Sequence, residues 1–424
     1  MITIPDTDKK RIIIVGCGFA GLKLAQKLRN SNYQVIIIDK NNYHQFQPLF
    51  YQVASAVLEP SAISFPLRKI FQHYKDFYIR KAEVIRIDTQ NNQLISSVGT
   101  LQYDILVLAH GAKTSFFGLD HLEHCTKSMK SVAEALDIRN SILQNFEDAL
   151  SAPSLEDRNQ YMNIVVVGGG PSGVEISGAL AEMRNHILPK DFPDLDCSKI
   201  NIYLIEGNDR LLGVMSRKTS DKAAEFLEKL GIKVLTSSFV KDCDEKYVFL
   251  NTSEKIRSNI VIWTAGIKGN VIEGLNNECY SKGERLFVDR FNRVSGYDNI
   301  FALGDVALMT EEKYPTGHPQ LAQVAIQQAV LLAKNLKNDI DNKPFKMFYY
   351  HDLGTMATIG RNLAVVELPY AKFQGMFAWL VWMFIHLMSI MGVKNRLLIF
   401  INWVWSYFTH DQSLRLIIKP KDHN

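Results

Sequence analysis

The stretch RIIIVGCGFAGLKLAQKL, residues 11–28, decides the fold. Its first five residues are an apolar run of the length of a short buried strand. The run breaks at Gly16-Cys17-Gly18-Phe19-Ala20-Gly21 and resumes with helical spacing. A G-x-G-x-x-G turn between a strand and a helix is the pattern of a dinucleotide-binding unit. Gly16 permits the tight turn, Gly18 lets the backbone approach a pyrophosphate, and Gly21 lets the helix pack closely on the strand. The helix N-terminus supplies free N–H groups to the phosphates. The next strand, QVIII, ends at Asp39, 23 residues after Gly16, where a carboxylate can accept from ribose hydroxyls.

The pattern recurs. NIVVV, residues 163–167, leads into Gly168-Gly169-Gly170-Pro171-Ser172-Gly173 and then the helical VEISGALAEM. The following strand, INIYLIE, ends at Glu206, 38 residues after Gly168. The usual gap is about 20, and the excess fits an inserted segment, RNHILPKDFPDLDCSK. Glu206 would bond a bare ribose and repel a 2′-phosphate, which favours NADH; Arg210 keeps NADPH open. Two such units in one chain imply two dinucleotides, or one dinucleotide and a duplicated scaffold, and the first reading is better.

Composition agrees with a folded enzyme. The 424 residues are 47% hydrophobic and 22% charged, which suits two or three domains with sizeable cores and excludes a disordered chain or disulfide scaffold. The net charge of +4 argues against a nucleic-acid binder. Lys394, Arg396, Arg415, Lys419 and Lys421 make the C-terminal region lean basic. Five cysteines (Cys17, Cys125, Cys197, Cys243, Cys279) at wide spacing, with no C-x-x-C and no metal knuckle, read as buried thiols in a reducing compartment. The polar N-terminus lacks a secretion signal, so a cytoplasmic start is expected.

With these motifs in place the sequence resembles the two-dinucleotide flavoprotein disulfide reductase superfamily. Within it, residues 10–408 are similar to the type II NADH dehydrogenases, single-chain NADH:quinone oxidoreductases. The stretches that carry the likeness are NNYHQFQPLFYQVA (41–54), the glycine turns, VIWTAGIKG, IFALGDVA, AQVAIQ and DLGTMATIGRNLAVV. The resemblance implies FAD contacts at Gly16, Gly18, Phe19, Ala20, Gly21, Asp39, Lys40, Val84, Ala109, Gly111, Gly304, Asp305, Ala322 and Gln323. It implies NADH contacts at Gly168, Gly170, Pro171, Ser172, Gly173, Glu175, Glu206, Ala265 and Gly266. Residues 322–327 match its quinone signature. His110 stands where the family more often has Thr, and Ser172 replaces a common Thr but keeps the hydroxyl. The family often forms dimers, so a homodimer is an expected state.

Several side chains carry a bland and a chemical reading. Gln323 and Gln327 lie four apart on one helix face, either as a polar face beside Gln328 or as two neutral donors to a quinone carbonyl. Glu175 sits where a helix N-terminus favours any carboxylate; the resemblance places it to orient NADH or move a proton. His44 reads as structural. The C-x-x-x-x-C pair of the disulfide reductases is absent, which excludes a dithiol relay. A sulfide:quinone oxidoreductase or a non-catalytic NADH sensor are the alternatives.

Residues 376–393 form an 18-residue apolar segment, a candidate spanning helix by length. Trp379, Trp382, His386 and Ser389 share an arc, however, which reads as an interfacial face, and LLIFINWVWSYF after the basic turn is too short to span. Two amphipathic, Trp-rich helices lying in the membrane plane are therefore favoured, with Lys394 near anionic headgroups or a quinone entry. The expected architecture is α/β. An NADH domain (126–289) is inserted in an FAD domain (9–125 and 290–343), and residues 344–424 form a hairpin and a membrane-binding helical module. The expected activity is hydride transfer from NADH to FAD and reduction of a membrane quinone, without proton pumping, at the cytoplasmic face of the cell inner membrane.

Overall fold

The computed structural model describes residues 4–410 and 414–418. Lys419 and Lys421 of the basic C-terminal stretch lie outside the described residues. The chain divides into two compact units. The first comprises residues 1–44, 65–113 and 267–352; the second comprises residues 45–64, 114–266 and 353–424.

The first unit is built on a parallel five-stranded sheet ordered Ile300–Ala302, Ile105–Leu108, Lys10–Val15, Tyr33–Asp39, Phe77–Lys81. Its central strands carry unbroken apolar runs because a parallel sheet is covered on both faces; Ile12, Ile13, Ile14, Ile36 and Ile37 are fully buried. The helices Phe19–Lys27 and Ala322–Ile340 pack on one another. A separate antiparallel sheet is formed by Val84–Asp88, Gln93–Ser96 and Gly99–Gln102.

The second unit repeats the plan with Lys127–Ser128, Ile260–Trp263, Asn163–Val167, Asn201–Ile205 and Ile232–Leu235, again all parallel. The inserted segment after the helix Pro171–His186 holds two short turns of helix, Leu188–Asp191 and Cys197–Lys199. An antiparallel meander, Thr355–Gly360, Leu363–Leu368 and Ala371–Gln374, packs against the helix Pro171–His186. A Cβ on Gly178 would lie 1.7 Å from the Ile359 carbonyl oxygen, so no other residue permits that approach.

Two expectations need correction. Cys125 and Cys243 are not buried thiols; they form a disulfide with Cα atoms 6.1 Å apart, whereas Cys17, Cys197 and Cys279 are free and buried. Pairs 118 residues apart cannot be read from spacing alone.

The tail forms two short helices, as favoured, but the face it buries differs. The apolar segment breaks into the helices Met376–Ser389 and Val393–Thr409, joined at Gly392 with φ 77°. Among the described residues no helix is long and apolar enough to cross a membrane. The Trp379, Trp382, His386 arc is not the outer face. Trp382 is 1% exposed and stacks on His386 at 4.0 Å, because the large rings fill the gap against Tyr51 and Trp403. The opposite side carries the exposed Phe377, Leu380, Phe384 and Met388. Arg396 donates to the Ile390 and Met388 carbonyls at 2.8 and 3.0 Å, satisfying the end of the first tail helix, while Lys394 is exposed.

Candidate nucleotide sites and the pocket beside Glu175

Each unit carries its own glycine turn, and the two turns are built alike. In the first, the Gly16 N–H donates to the Ile38 carbonyl at 2.8 Å, and Ala109 N–H to Val15 at 2.8 Å. In the second, Gly168 donates to Ile205 and Thr264 to Val167, both at 2.8 Å. A Cβ on Gly21 would lie 1.9 Å from the Gly16 carbonyl oxygen, and one on Gly173 1.8 Å from that of Gly168. These two glycines therefore serve the helix–strand contact. At Gly18 and Gly170 a Cβ would meet nothing within 4 Å, which leaves open space before each helix start. A pyrophosphate fits such a cradle, since first-turn N–H groups have no acceptor within the helix.

The acids behave alike as well. Asp39 accepts from the Cys17 N–H at 2.6 Å and from Asn41 N–H at 2.7 Å. Glu206 accepts from the Gly169 N–H at 2.6 Å and from Asn208 N–H at 2.7 Å. Burial pushes the Asp39 carboxyl above its ordinary value, while the Asn41 and Cys17 N–H groups and Lys40 act the other way. Arg210 donates to the Gly213 carbonyl at 2.9 Å.

Other expected FAD positions converge on the first turn. A Cβ on Gly16 would touch the Ala109 oxygen at 2.5 Å and His110 Cα at 2.6 Å; one on Gly304 would lie 3.1 Å from the Ala325 Cβ and 3.6 Å from that of Ala20. Gln328 Oε1 accepts from the Gly304 N–H at 2.7 Å, and Gln320 donates to the Asp305 carbonyl at 2.9 Å. Gln328 thus has a supporting role that its position in a glutamine run did not signal. Gly111 has φ 75° beside open space, Phe19 opens its helix, and Lys40 is exposed. Val84 instead begins a strand of the antiparallel sheet.

His44 is buried with Nδ1 2.9 Å from the Cys17 carbonyl, and desolvation holds it neutral, so it braces the turn. His110 Nε2 donates to the Asn270 carbonyl at 2.7 Å, and burial lowers its pKa to about 4. Its Nδ1 is then a buried acceptor with no protein partner. Ala322 and Gln323 open the helix Ala322–Ile340. Gln327 exchanges two hydrogen bonds with the His351 backbone, at 2.8 and 3.0 Å, so its amide holds that loop.

In the second unit Gly168 abuts Ala265, and Gly266 lies under the Phe117 ring. Pro171 opens the helix and Ser172 is exposed beside it. Glu175 follows, 9% exposed. Burial raises its pKa to about 8, against the pull of the Thr358 N–H and the Trp382 indole. Burial, and then the charge of Glu175, push the Tyr51 phenol far up. Gln52 donates to the Tyr51 hydroxyl at 2.8 Å and accepts from Trp403 Nε1 at 2.8 Å. A cavity of about 140 Å³ runs from Glu175 past Glu182 and Arg361 to His186 and His410. Sequence reasoning gave no role to Tyr51, Gln52, Arg361 or either histidine; Tyr51 and Gln52 lie in the marked 41–54 stretch and Arg361 in DLGTMATIGRNLAVV.

The fold and its paired turns define a two-dinucleotide oxidoreductase. The pyridine nucleotide-disulphide oxidoreductase family matches residues 10–329, and the NDH2 C-terminal domain matches residues 352–410. The chain is 31% identical over 423 residues to Type II NADH:quinone oxidoreductase Ndh of Mycobacterium tuberculosis, covering 95% of this chain and 89% of that one. This chain belongs to the type II NADH:quinone oxidoreductases. In fold it is similar to NDH2 from Plasmodium falciparum solved with NADH, with a TM-score of 0.88, 23% identity, and 97% and 100% of the two chains covered. It is less similar to the sulfide:quinone oxidoreductase of Aquifex aeolicus, with a TM-score of 0.73, 20% identity, and 97% and 96% covered.

Proposed function

We propose that this chain is an FAD-dependent NADH:quinone oxidoreductase that does not pump protons. The observation that carries this reading is the pair of like-built cradles, each with an open helix start and an acid locked on its turn, in a chain of this family. When bound, FAD supplies hydride acceptance and two-electron transfer to the quinone.

The chain's own residues bind, orient and protonate. The turn 16–21 would hold the FAD pyrophosphate and Asp39 its ribose, with the Gly304–Asp305 turn set by Gln320 and Gln328. The turn 168–173 would hold the NADH pyrophosphate and Glu206 its ribose diol. Glu175, protonated near neutral pH because it is buried, can lend and recover a proton. Gln323 remains the candidate donor to a quinone carbonyl, whereas the backbone contacts of Gln327 favour a positioning role.

The tail helices expose Phe377, Leu380, Phe384, Leu397, Ile401, Trp405 and Phe408, an apolar surface suited to lying in a bilayer interface. Attachment there, at the cytoplasmic face of the inner membrane, brings the enzyme to its quinone. Lys394, exposed at the helix junction, is placed for anionic headgroups.

Anaerobic addition of NADH to the detergent-purified protein should bleach the flavin, and a short-chain quinone should restore it over many cycles. Bleaching without recovery would favour an NADH sensor. Bleaching by sulfide but not by NADH would overturn the donor.

A further inference from the structure

Reduction of a quinone to a quinol takes two electrons and two protons. NADH gives up two electrons and one proton as hydride, so each turnover must draw one proton from solvent. Glu175, the group able to hold a proton, is nearly closed off from the surface.

The helix Pro171–His186 supplies the connection. Glu175, Ala179, Glu182 and His186 stand at spacings that share one helix face, and all four line the same cavity. The same cavity is lined by Arg361 from the strand hairpin, Ser406 from the tail helix and His410 just past its end. About 140 Å³ holds several waters, and a lining this polar keeps them, whereas apolar cavities stay dry.

At the outer end, His186 Nε2 lies 3.7 Å from Glu182, with its side chain 45% exposed. The His186 and His410 rings are 4.7 Å apart. Arg361 donates to the His410 ring at 2.6 Å and to the Ser406 and Tyr407 carbonyls at 2.7 and 2.5 Å, with its guanidinium 4.7 Å over the Tyr407 ring. These contacts commit Arg361 to the cavity wall. Burial first, and then the charges of Arg361, His186 and Lys190, lower the His410 pKa, while Glu182 opposes them. His186, half-exposed beside Glu182, stands at the mouth of the cavity. At the inner end Glu175 faces Tyr51, Thr358 and Trp382, with His386 stacked behind the indole.

We infer that this cavity is a proton inlet, in which His186 and Glu182 pass solvent protons along enclosed water to Glu175. The inference rests on the quinone-reduction reading above and assigns that reaction its solvent proton.

The test uses the full-length enzyme and two variants. Ala179→Leu plugs the cavity between Glu175 and Glu182 without changing a titratable group; His186→Ala removes the mouth group. Turnover is measured with a quinone and with ferricyanide, which accepts electrons without protons. Infrared spectroscopy follows hydrogen–deuterium exchange at the Glu175 carboxyl. Quinone kcat should fall about tenfold or more in both variants, in keeping with the loss of an acid–base relay. KM and ferricyanide turnover should be unchanged, Glu175 exchange should slow in parallel, and added imidazole should restore His186→Ala. Unchanged quinone kcat and exchange in both variants would overturn the inlet. A raised KM for long-chain quinones at unchanged kcat would also overturn it, by making the cavity a quinone path. Wild-type enzyme that turns over ferricyanide but no quinone would sink the functional reading instead, and the exchange rates alone would then decide the inlet.

Discussion

The Trp403 indole N–H donates to the Gln52 amide oxygen at 2.8 Å, across 351 residues of sequence. Both groups are buried, and Gln52 passes the contact on to the Tyr51 hydroxyl beside Glu175. The tail helix is thereby pinned to the helix Phe50–Ala54. Trp403→Phe keeps the ring packing but strands a buried carbonyl, which costs about 1–3 kcal/mol. Thermal unfolding should shift down, and amides of the helix Val393–Thr409 should exchange faster.

Glu175 gives stability a pH dependence of unusual sign. Its folded pKa of about 8 lies above the ordinary 4.5, so the native state holds a proton that the unfolded state has lost. Its contribution therefore falls as pH rises from about 4.5 to about 8 and is constant beyond. Glu175→Gln, neutral at every pH, should match the wild type near pH 4.5 and exceed its melting temperature at pH 8.5. The same variant should lose quinone turnover. Equal melting curves at pH 8.5 would refute the buried-acid description.

Glu367 shows the opposite sign. It accepts from the Ser216 N–H at 3.2 Å and from the Thr219 hydroxyl at 2.5 Å, at the start of the helix Arg217–Lys229. Burial raises its pKa, but the Ser216 and Thr219 donors and Lys372 outweigh this and hold it below the usual range. The stabilisation is present above the ordinary carboxylate pKa and is lost as pH falls through the lowered one. Glu367→Ala should cost about 1–2 kcal/mol, as for loss of a helix cap, with the gap to wild type closing in acid. Denaturant titrations at pH 7 and pH 3 would measure it.

Glu206 binds its own turn as well as facing the expected ribose position. Glu206→Ala should raise KM for NADH about tenfold, since charged hydrogen bonds are worth about 1.5–3 kcal/mol. It should also narrow the preference over NADPH, because the carboxylate no longer opposes a 2′-phosphate. Steady-state kinetics with both nucleotides decide it.

Phe384 and Phe408 are 64% and 77% exposed on the tail helices. Phe384→Asp with Phe408→Asp should leave the melting temperature nearly unchanged and abolish flotation with lipid vesicles. Retained flotation would place the membrane contact elsewhere.

Both glycine turns and their acids were legible because strand, turn and helix are contiguous and each step has a local steric or electrostatic reason. The tail was only half legible. Its apolar character was plain, yet Trp382 points inward because a large ring fills space that only the packed neighbours define. The likeness of Gln323, Gln327 and Gln328 in sequence hid three different settings. Gln328 supports Gly304 and Gln327 holds the 351 loop, while Gln323 opens the helix, because helix rotation and loop placement assign each amide.

The sequence by itself determined two dinucleotide folds, their acids and an apolar tail, since short-range periodicity and glycine sterics act within a few dozen residues. Only the tertiary structure decided the Cys125–Cys243 bond, the buried setting of Glu175 and the cavity leading to it. Those depend on which distant side chains exclude water from a group, and desolvation is a property of the packed neighbourhood rather than of the residue.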